Sequence, residues 1–338
     1  MTAMPTPLPS DFGDAAAEYA AVRKRAGLID RRDWGVLEVT GRDRASFLHA
    51  LLSNEIKALA PGQGCAATLL DVHGKVQVVL FAWVLDDRIL LVVPPGMARK
   101  VAEALDHYLF SEKVSLRDAS EETALLLLAG PEAHAIVERI AGTRPGAAPW
   151  SHVAAAIDGT PVRLVSGGGD TGEPEVWVVA AAGEGGGMWD RLVAAGVQPV
   201  GLTALESLRI EAGTPLFGHD VDETVLLPEI PAANLLSYTK GCYPGQEVVV
   251  RIRDRGHVNR LLAGLVLEGD AVPERGAAVL AGEAEIGRVT SATRSFGLGR
   301  PIALAFVRRQ HAEPGSRVEV RVGEATVPAR VAALPFTR

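Results

Sequence analysis

The alternation of apolar and polar positions divides the chain into two unlike regions. After a polar lead, residues 35–40 (GVLEVT) read as a short strand, and Phe47, Leu48, Leu51, Leu52 and Ile56 then recur at helical spacing. That spacing predicts a helix over 43–59, with Asp43 placed to cap its start and Pro61-Gly62 to stop it. The β-rich stretches 75–85 (KVQVVLFAWVL) and 88–94 (RILLVVP), separated by Asp86 and Asp87, read as a hairpin. Pro95 opens a helix whose Met97, Val101, Leu105 and Tyr108 make one apolar stripe. A second cycle follows: the run 123–130 (TALLLLAG), a helix beginning at Pro131, strands near 161–166 and 175–181, and a helix over 188–195. Such alternation predicts an α+β fold with antiparallel hairpins closing each cycle. Beyond residue 260 the helical signal gives way to short β runs punctuated by Gly, Pro and Asp, the pattern of a small barrel or sandwich. The division expected is therefore 1–255 and 256–338.

Composition narrows the function classes. With 34 Lys+Arg against 41 Asp+Glu the net charge is -7, which argues against a general nucleic-acid coat, although one local basic cluster keeps direct nucleic-acid binding open without favouring it. Cys65 and Cys242 lie far apart and form no C-x-x-C, so neither a disulfide framework nor a zinc knuckle follows, and a reducing compartment is the simplest reading. The first residues lack a basic stretch followed by an apolar one, and no run of about 18 apolar residues occurs. The expectation is a cytoplasmic protein without a membrane span.

The glycine clusters SGGGD (166–170) and GEGGG (183–187) match neither G-x-G-x-x-G nor a P-loop and read as plain hairpin loops. Three other segments stand out: 71–77, 208–229 and 239–260. In TKGCYPGQEVVVRIRDRGHVNR, Pro244-Gly245 suits the centre of a type II turn, Gly241 permits close backbone approach, and a cation at Lys240 beside Cys242 favours the thiolate. The plain alternative is a small buried hydrophobe. Arg251, Arg253, Arg255 and Arg260 make a basic patch suited to a carboxylate, a phosphate or an RNA backbone, or simply to solvent. Glu211 ends a helix just before an Ala-Gly stop; it is either a surface glutamate or a carboxylate facing a cleft, able to accept two parallel bonds from an amidine-like edge. The histidines show no H-E-x-x-H pairing, so no metal site is assigned; His219 and His257 are the two to inspect.

KGCYPGQE (240–247), followed by VVVR and RG-x-x-x-R, resembles the signature of the YgfZ branch of the folate-binding superfamily that includes the glycine-cleavage T-protein, an aminomethyltransferase. LRIEAGTPLFGHDVDET, the stretch GVLEVTGRDRASFLHALLSNEI with its later PGQG, and EIGRVTSATRSFGLGRPIALAFV are similar to three further parts of that superfamily. The resemblance implies ferredoxin-like or other antiparallel α+β subdomains and a final β-barrel, arranged in a ring around a central tetrahydrofolate pocket. It implies Glu211 on the pterin, Lys240, Gly241, Tyr243, Gln246 and Arg251 at the cofactor, and Cys242 as a functional thiol. In that branch the role is to make or repair iron-sulfur clusters in client enzymes, including one that modifies tRNA. The alternative is a one-carbon transferase of the T-protein type. The aminomethyltransferase pattern carries Asp-Asp where this chain has Val78 and Val79, and a valine cannot act as a general base. Classical glycine-cleavage activity is therefore not expected. Asp71, seven residues earlier, is not placed to substitute for it.

Overall fold

The computed structural model describes residues 8–336; residues 1–7, on which part of the leader reading rests, lie outside it. Among the described residues seven helices occur: α1 (Ala15–Lys24), α2 (Arg44–Leu51), α3 (Ala98–Asp106), α4 (Ala133–Ala141), α5 (Gly185–Ala194), α6 (Leu202–Ala212) and α7 (Gln246–Arg255). None is long and apolar enough to cross a membrane.

The first cycle builds a five-stranded antiparallel sheet in the order Gln63–Leu70, Val76–Val84, Arg88–Val93, Gly35–Thr40, Ser115–Asp118. The period-two rule sorts its side chains. Val78, Leu80 and Ala82 join Phe47, Leu48 and Leu51 of α2 and Val101 and Leu105 of α3 in one core. Phe81 and Trp83 point the other way into the central core. The second cycle builds a six-stranded sheet in the order Gln198–Pro199, Gly27–Asp30, Thr123–Ala129, Glu175–Ala181, Thr160–Ser166, His152–Ile157. Its outer face packs Leu126, Leu128, Val176 and Val178 on Ile136 and Val137 of α4 and Met188 and Leu192 of α5. Its inner face turns Leu125, Leu127 and Trp177 toward the first sheet. The unbroken run TALLLLA is thus a strand buried on both faces.

The remaining chain closes a six-stranded barrel from Arg260–Leu267 to Ala325–Ala332. In its strand Pro301–Arg308, Ala303, Ala305 and Val307 fill the barrel, while Ile302, Leu304 and Phe306 face outward into the core that α6 shares with the two sheets. The expected mixed α+β architecture with a terminal barrel is what the chain forms.

Local departures have physical causes. The helix expected over 43–59 stops at Leu51, because Leu52 turns extended and Ser53 pairs with Thr68: the Ser53 N–H donates to the Thr68 carbonyl (2.9 Å), and the Thr68 N–H to Ser53 Oγ (2.8 Å). Asp43 does not cap it; its carboxylate accepts from the Lys113 N–H at 2.7 Å. The polar lead contains α1, capped by Asp14, which accepts from the N–H groups of Ala16 and Ala17. Gly185, Gly186 and Gly187 are not a hairpin loop but the first turn of α5, and residues 246–255, read only as a basic stretch, form α7. The strands Gly27–Asp30 and His152–Ile157 carried no clear sequence signal.

Candidate functional site

A cavity of about 240 Å³ opens where the inner faces of the two sheets meet α6 and the segments 212–217 and 230–235. Its walls are aromatic: Trp34, Phe81, Trp150 and Trp177 all border it. Phe81 stacks on Trp150 with centroids 4.1 Å apart and on Trp34 at 5.5 Å, and Trp177 meets Trp34 edge-on at 5.5 Å. Trp150 holds a left-handed backbone (φ 65°), which costs a non-glycine residue about 1–2 kcal/mol and marks a position fixed by its surroundings. Gly168 supplies the space, since a Cβ there would lie 2.7 Å from the Trp150 ring.

Three buried donors at this cavity have no protein partner among the described residues: Arg31 Nε, Trp34 Nε1 and Trp177 Nε1. All three belong to residues that border the hollow, although the atoms themselves are covered, and buried polar groups are normally paired. The bordering residues include one acid, Asp170, at the end of the SGGGD loop. Burial, together with the neighbouring Glu175 carboxylate and against the pull of Arg31, pushes Asp170 up to about 7. Glu175 itself ties the loop down, accepting from the Gly169 N–H (3.0 Å) and from the Thr171 N–H and Oγ (2.8 Å each). Burial holds the Arg31 guanidinium below its ordinary value, with nearby carboxylates opposing the shift.

The residues expected to hold the cofactor do not border this cavity. Glu211 is 2% exposed, and its carboxylate is fully engaged. It accepts from Tyr19 Oη (2.6 Å), Arg23 Nη2 (2.7 Å), Ser207 Oγ (2.9 Å), Ser295 Oγ (2.6 Å) and the Gly297 N–H (3.1 Å). Burial alone would raise its pKa, but these donors outweigh that and hold it below the usual carboxylate value. Glu211 therefore faces α1 and the barrel, while Leu205, Arg209 and Ala212 of the same helix face the cavity. The expected stop is present: Gly213 is left-handed (φ 74°) and ends α6.

Lys240, Gly241, Cys242, Tyr243, Gln246 and Arg251 do not border the cavity. Residues 240–245 form a surface loop leading into α7. Its turn is as expected, with Gly245 at φ 78° and the Gln246 N–H donating to the Tyr243 carbonyl (3.2 Å). The close backbone approach is made by Gly245 rather than Gly241: a Cβ on Gly245 would lie 2.4 Å from the Asp71 carbonyl oxygen, so this turn packs directly on the turn 71–74. Lys240 is buried, donates to the carbonyls of His49 and Leu52 at the end of α2, and sits 4.9 Å from the Tyr243 ring centroid. Desolvation pulls its ammonium down to about 8. It makes no hydrogen bond to Cys242, whose side chain is exposed rather than a buried hydrophobe. Gln246 is half-buried and Arg251 exposed. Arg253 lies over Tyr238 (4.3 Å), and Arg260 pairs with Glu229 (3.1 Å), so the arginine cluster is partly spent on its own neighbours. Val78 is fully buried against α2 and α3; the residues that its strand turns to the cavity are Val79 and Phe81, so this wall carries no ionisable group.

The lining of this cavity was not singled out in the sequence. Four of the five tryptophans converge on the central core, and Asp170 closes a glycine run dismissed as a loop. The available signals were tryptophans on or just before strands and an acid at the end of a glycine-rich turn.

The arrangement of two α+β sheets clasping an aromatic cavity, backed by a barrel, defines a T-protein-like fold. The chain belongs to the glycine cleavage T-protein family: residues 4–236 match the GCVT N-terminal domain and residues 260–337 the glycine cleavage T-protein C-terminal barrel domain. It is 35% identical to an aminomethyltransferase of Rubrobacter xylanophilus, over 98% of this chain and 88% of that protein. It is 32% identical to an aminomethyltransferase of Streptomyces coelicolor, over 97% of this chain and 91% of that one. The crystal structure of the glycine cleavage system aminomethyltransferase T from Bartonella henselae superposes with a TM-score of 0.87 at 23% identity, covering 99% of this chain and 91% of that chain, which speaks for the fold.

Proposed function

We propose that this protein binds a reduced folate in the cavity between its sheets and acts as a folate-dependent one-carbon transferase of the T-protein type. The observation that carries the reading is the cavity itself: an aromatic-walled hollow bordered by one guanidinium-bearing strand end, Arg31, and one carboxylate, Asp170. At about 240 Å³ it is smaller than the ~300–1,000 Å³ typical for a whole drug-sized ligand, so it suits a bicyclic ring whose tail stays outside. Trp34, Phe81 and Trp150, already stacked on one another, would form one wall against that ring, and Arg31 and Asp170 would fix its polar edge. Bound, the folate would supply a nucleophilic ring nitrogen as acceptor of a one-carbon unit. The protein's part is to orient the ring and exclude water. The family membership and the relatives named aminomethyltransferase support the transferase reading.

Isothermal titration of the full-length chain with 5-formyltetrahydrofolate tests it; binding is expected, and its absence overturns the proposal.

A second reading, accessory work at iron-sulfur client enzymes as in the YgfZ branch, draws on KGCYPGQE and on the exposed thiol that this loop presents. The thiol does not border the cavity, so in this reading folate binding and thiol chemistry are separate events.

A further inference from the structure

A second hollow, a groove of about 600 Å³, runs between the outer face of the barrel and the segment 219–225. The buried pair Arg209–Asp220 divides it from the aromatic cavity, since Arg209 borders the cavity and Asp220 the groove. Four arginines border this groove: Arg260, Arg275, Arg288 and Arg308. Strand pairing brings two of them together. Where Arg260–Leu267 pairs antiparallel with Pro301–Arg308, Arg260 stands directly opposite Arg308, so both side chains leave the same face of the barrel from Cβ atoms about 5 Å apart. On the next strand Arg288 stands opposite Phe306, and Arg260 lies over the Phe306 ring (4.4 Å), which puts three guanidiniums on that one face.

Like charges directly opposite one another destabilise a sheet, so this pairing leaves a place for an anion. The chain itself fills only part of it. Glu229 accepts from Arg260 Nε (3.1 Å), and the two terminal amino groups of that guanidinium have no partner among the described residues. Glu285 pairs with Arg288 (2.7 Å). Arg275 donates to the His219 carbonyl (2.6 Å), and the exposed Arg308 guanidinium makes no hydrogen bond or ion pair among the described residues. The other two acids at the groove are engaged. Asp220 accepts from Arg209 Nη1 (2.9 Å), the Leu216 N–H (2.9 Å), Thr290 Oγ1 (2.5 Å) and Ser291 Oγ (2.5 Å). Asp222 accepts from the N–H (2.9 Å) and hydroxyl (2.6 Å) of Thr224, which hold its carboxylate below the ordinary value with lesser help from Arg260 and Arg275.

We propose that this groove is a second ligand site, which takes a phosphate group between Arg260 and Arg308. A phosphate brings close to two negative charges to a repelling pair, and its several oxygens match guanidinium forks. The groove exceeds the volume of a lone phosphate, so it also has room for the body of a small phosphate ester. The site is separate from the folate cavity, and the inference does not depend on that reading.

Calorimetry on the full-length protein near neutral pH, at low and at high salt, tests it with inorganic phosphate and glucose 6-phosphate as probes. The wild type is expected to bind, more weakly as salt rises. Tighter binding of the sugar phosphate names an ester as the source of the group, tighter binding of inorganic phosphate the free ion, and either supports the site. Arg308→Gln is expected to weaken binding about tenfold or more, as befits loss of a charged donor, while Arg317→Gln, at an exposed barrel arginine outside the groove, leaves it unchanged. Because Arg308 opposes Arg260, ligand-free Arg308→Gln is expected to melt no lower than the wild type, and added phosphate to raise the Tm of the wild type alone. No binding of either probe, or equal weakening by the two substitutions, overturns the proposal. So does a lower melting point of ligand-free Arg308→Gln, which would make Arg308 a structural residue.

Discussion

Replacing Glu211 distinguishes a residue that binds ligand from one that holds the protein together. Glu211→Ala removes a carboxylate that accepts five hydrogen bonds from three parts of the chain: Tyr19 and Arg23 on α1, Ser207 on α6, and Ser295 and Gly297 at the barrel. The guanidinium of Arg23, whose side chain is only 7% exposed, keeps one acidic partner, Glu173 at 2.9 Å, beside its bonds to Tyr19 Oη (3.0 Å) and the Thr171 carbonyl (3.2 Å). Breaking a buried pair from one side costs about 3–5 kcal/mol because the other charge stays buried, and the surviving Glu173 bond places this case near the lower end, about 3 kcal/mol. At about 1.4 °C per kcal/mol for a cooperative unit of 338 residues, that is a fall of about 4 °C in Tm. Glu211→Gln, which keeps the shape but turns an amide N–H₂ toward donors, should fall part of the way. The assay pairs thermal melting by circular dichroism with folate titration below the transition. A stable Glu211→Ala variant that had lost folate binding would refute the account and return Glu211 to the ligand.

Two further outcomes follow from the structure. His152 is buried, accepts from Arg163 Nη1 at Nδ1 (2.8 Å), and is pulled down to about 4 by desolvation and by that guanidinium. The unfolded chain therefore takes up a proton near pH 6.5 that the folded chain refuses, so stability is full above pH 6.5 and declines by about 2 kcal/mol by pH 4.5; urea unfolding at both pH values should show this slope reduced in His152→Gln. Cys242→Ser should leave folate affinity within about twofold, since the exposed thiol lies outside the cavity wall, whereas the activity of iron-sulfur enzymes in a deletion strain complemented with it should fall if the second reading holds. Intact activity there rejects that reading.

What the sequence makes legible is what a local pattern can carry. The hairpin 75–94, the doubly buried run 123–129 and the barrel strands announce themselves by composition and period, because burial on one or both faces is written into consecutive residues. The short strand Gly27–Asp30 has no such length, and the helix expected over 43–59 ends early because Ser53 finds its partner at Thr68, in a different strand. The site is less legible for the same reason. Glu211 is read as a ligand from the family resemblance, its helix-end position leaving a surface role equally open, yet Tyr19 and Ser295, the donors that occupy it, lie 192 and 84 residues away. Asp170 is overlooked because a glycine run suggests a loop and says nothing of where the loop leads. Val78 and Val79 differ by one position and by a whole face of the sheet, a distinction that becomes visible only once the strand is paired.

The knot of side chains around Glu211 has a consequence for how the molecule could be divided. Although the barrel starts at Arg260 and closes on itself, it contributes Ser295 and Gly297 to a charge buried under the other half, and Ser291 hydrogen-bonds Arg209 beside it (2.8 Å). Severing the chain between α7 and the barrel would hydrate a carboxylate and a guanidinium that are now buried, and would bare Ile302, Leu304 and Phe306 along the cut. The last eighty residues thus act as the closing wall of a single building, and neither piece is a finished house without the other.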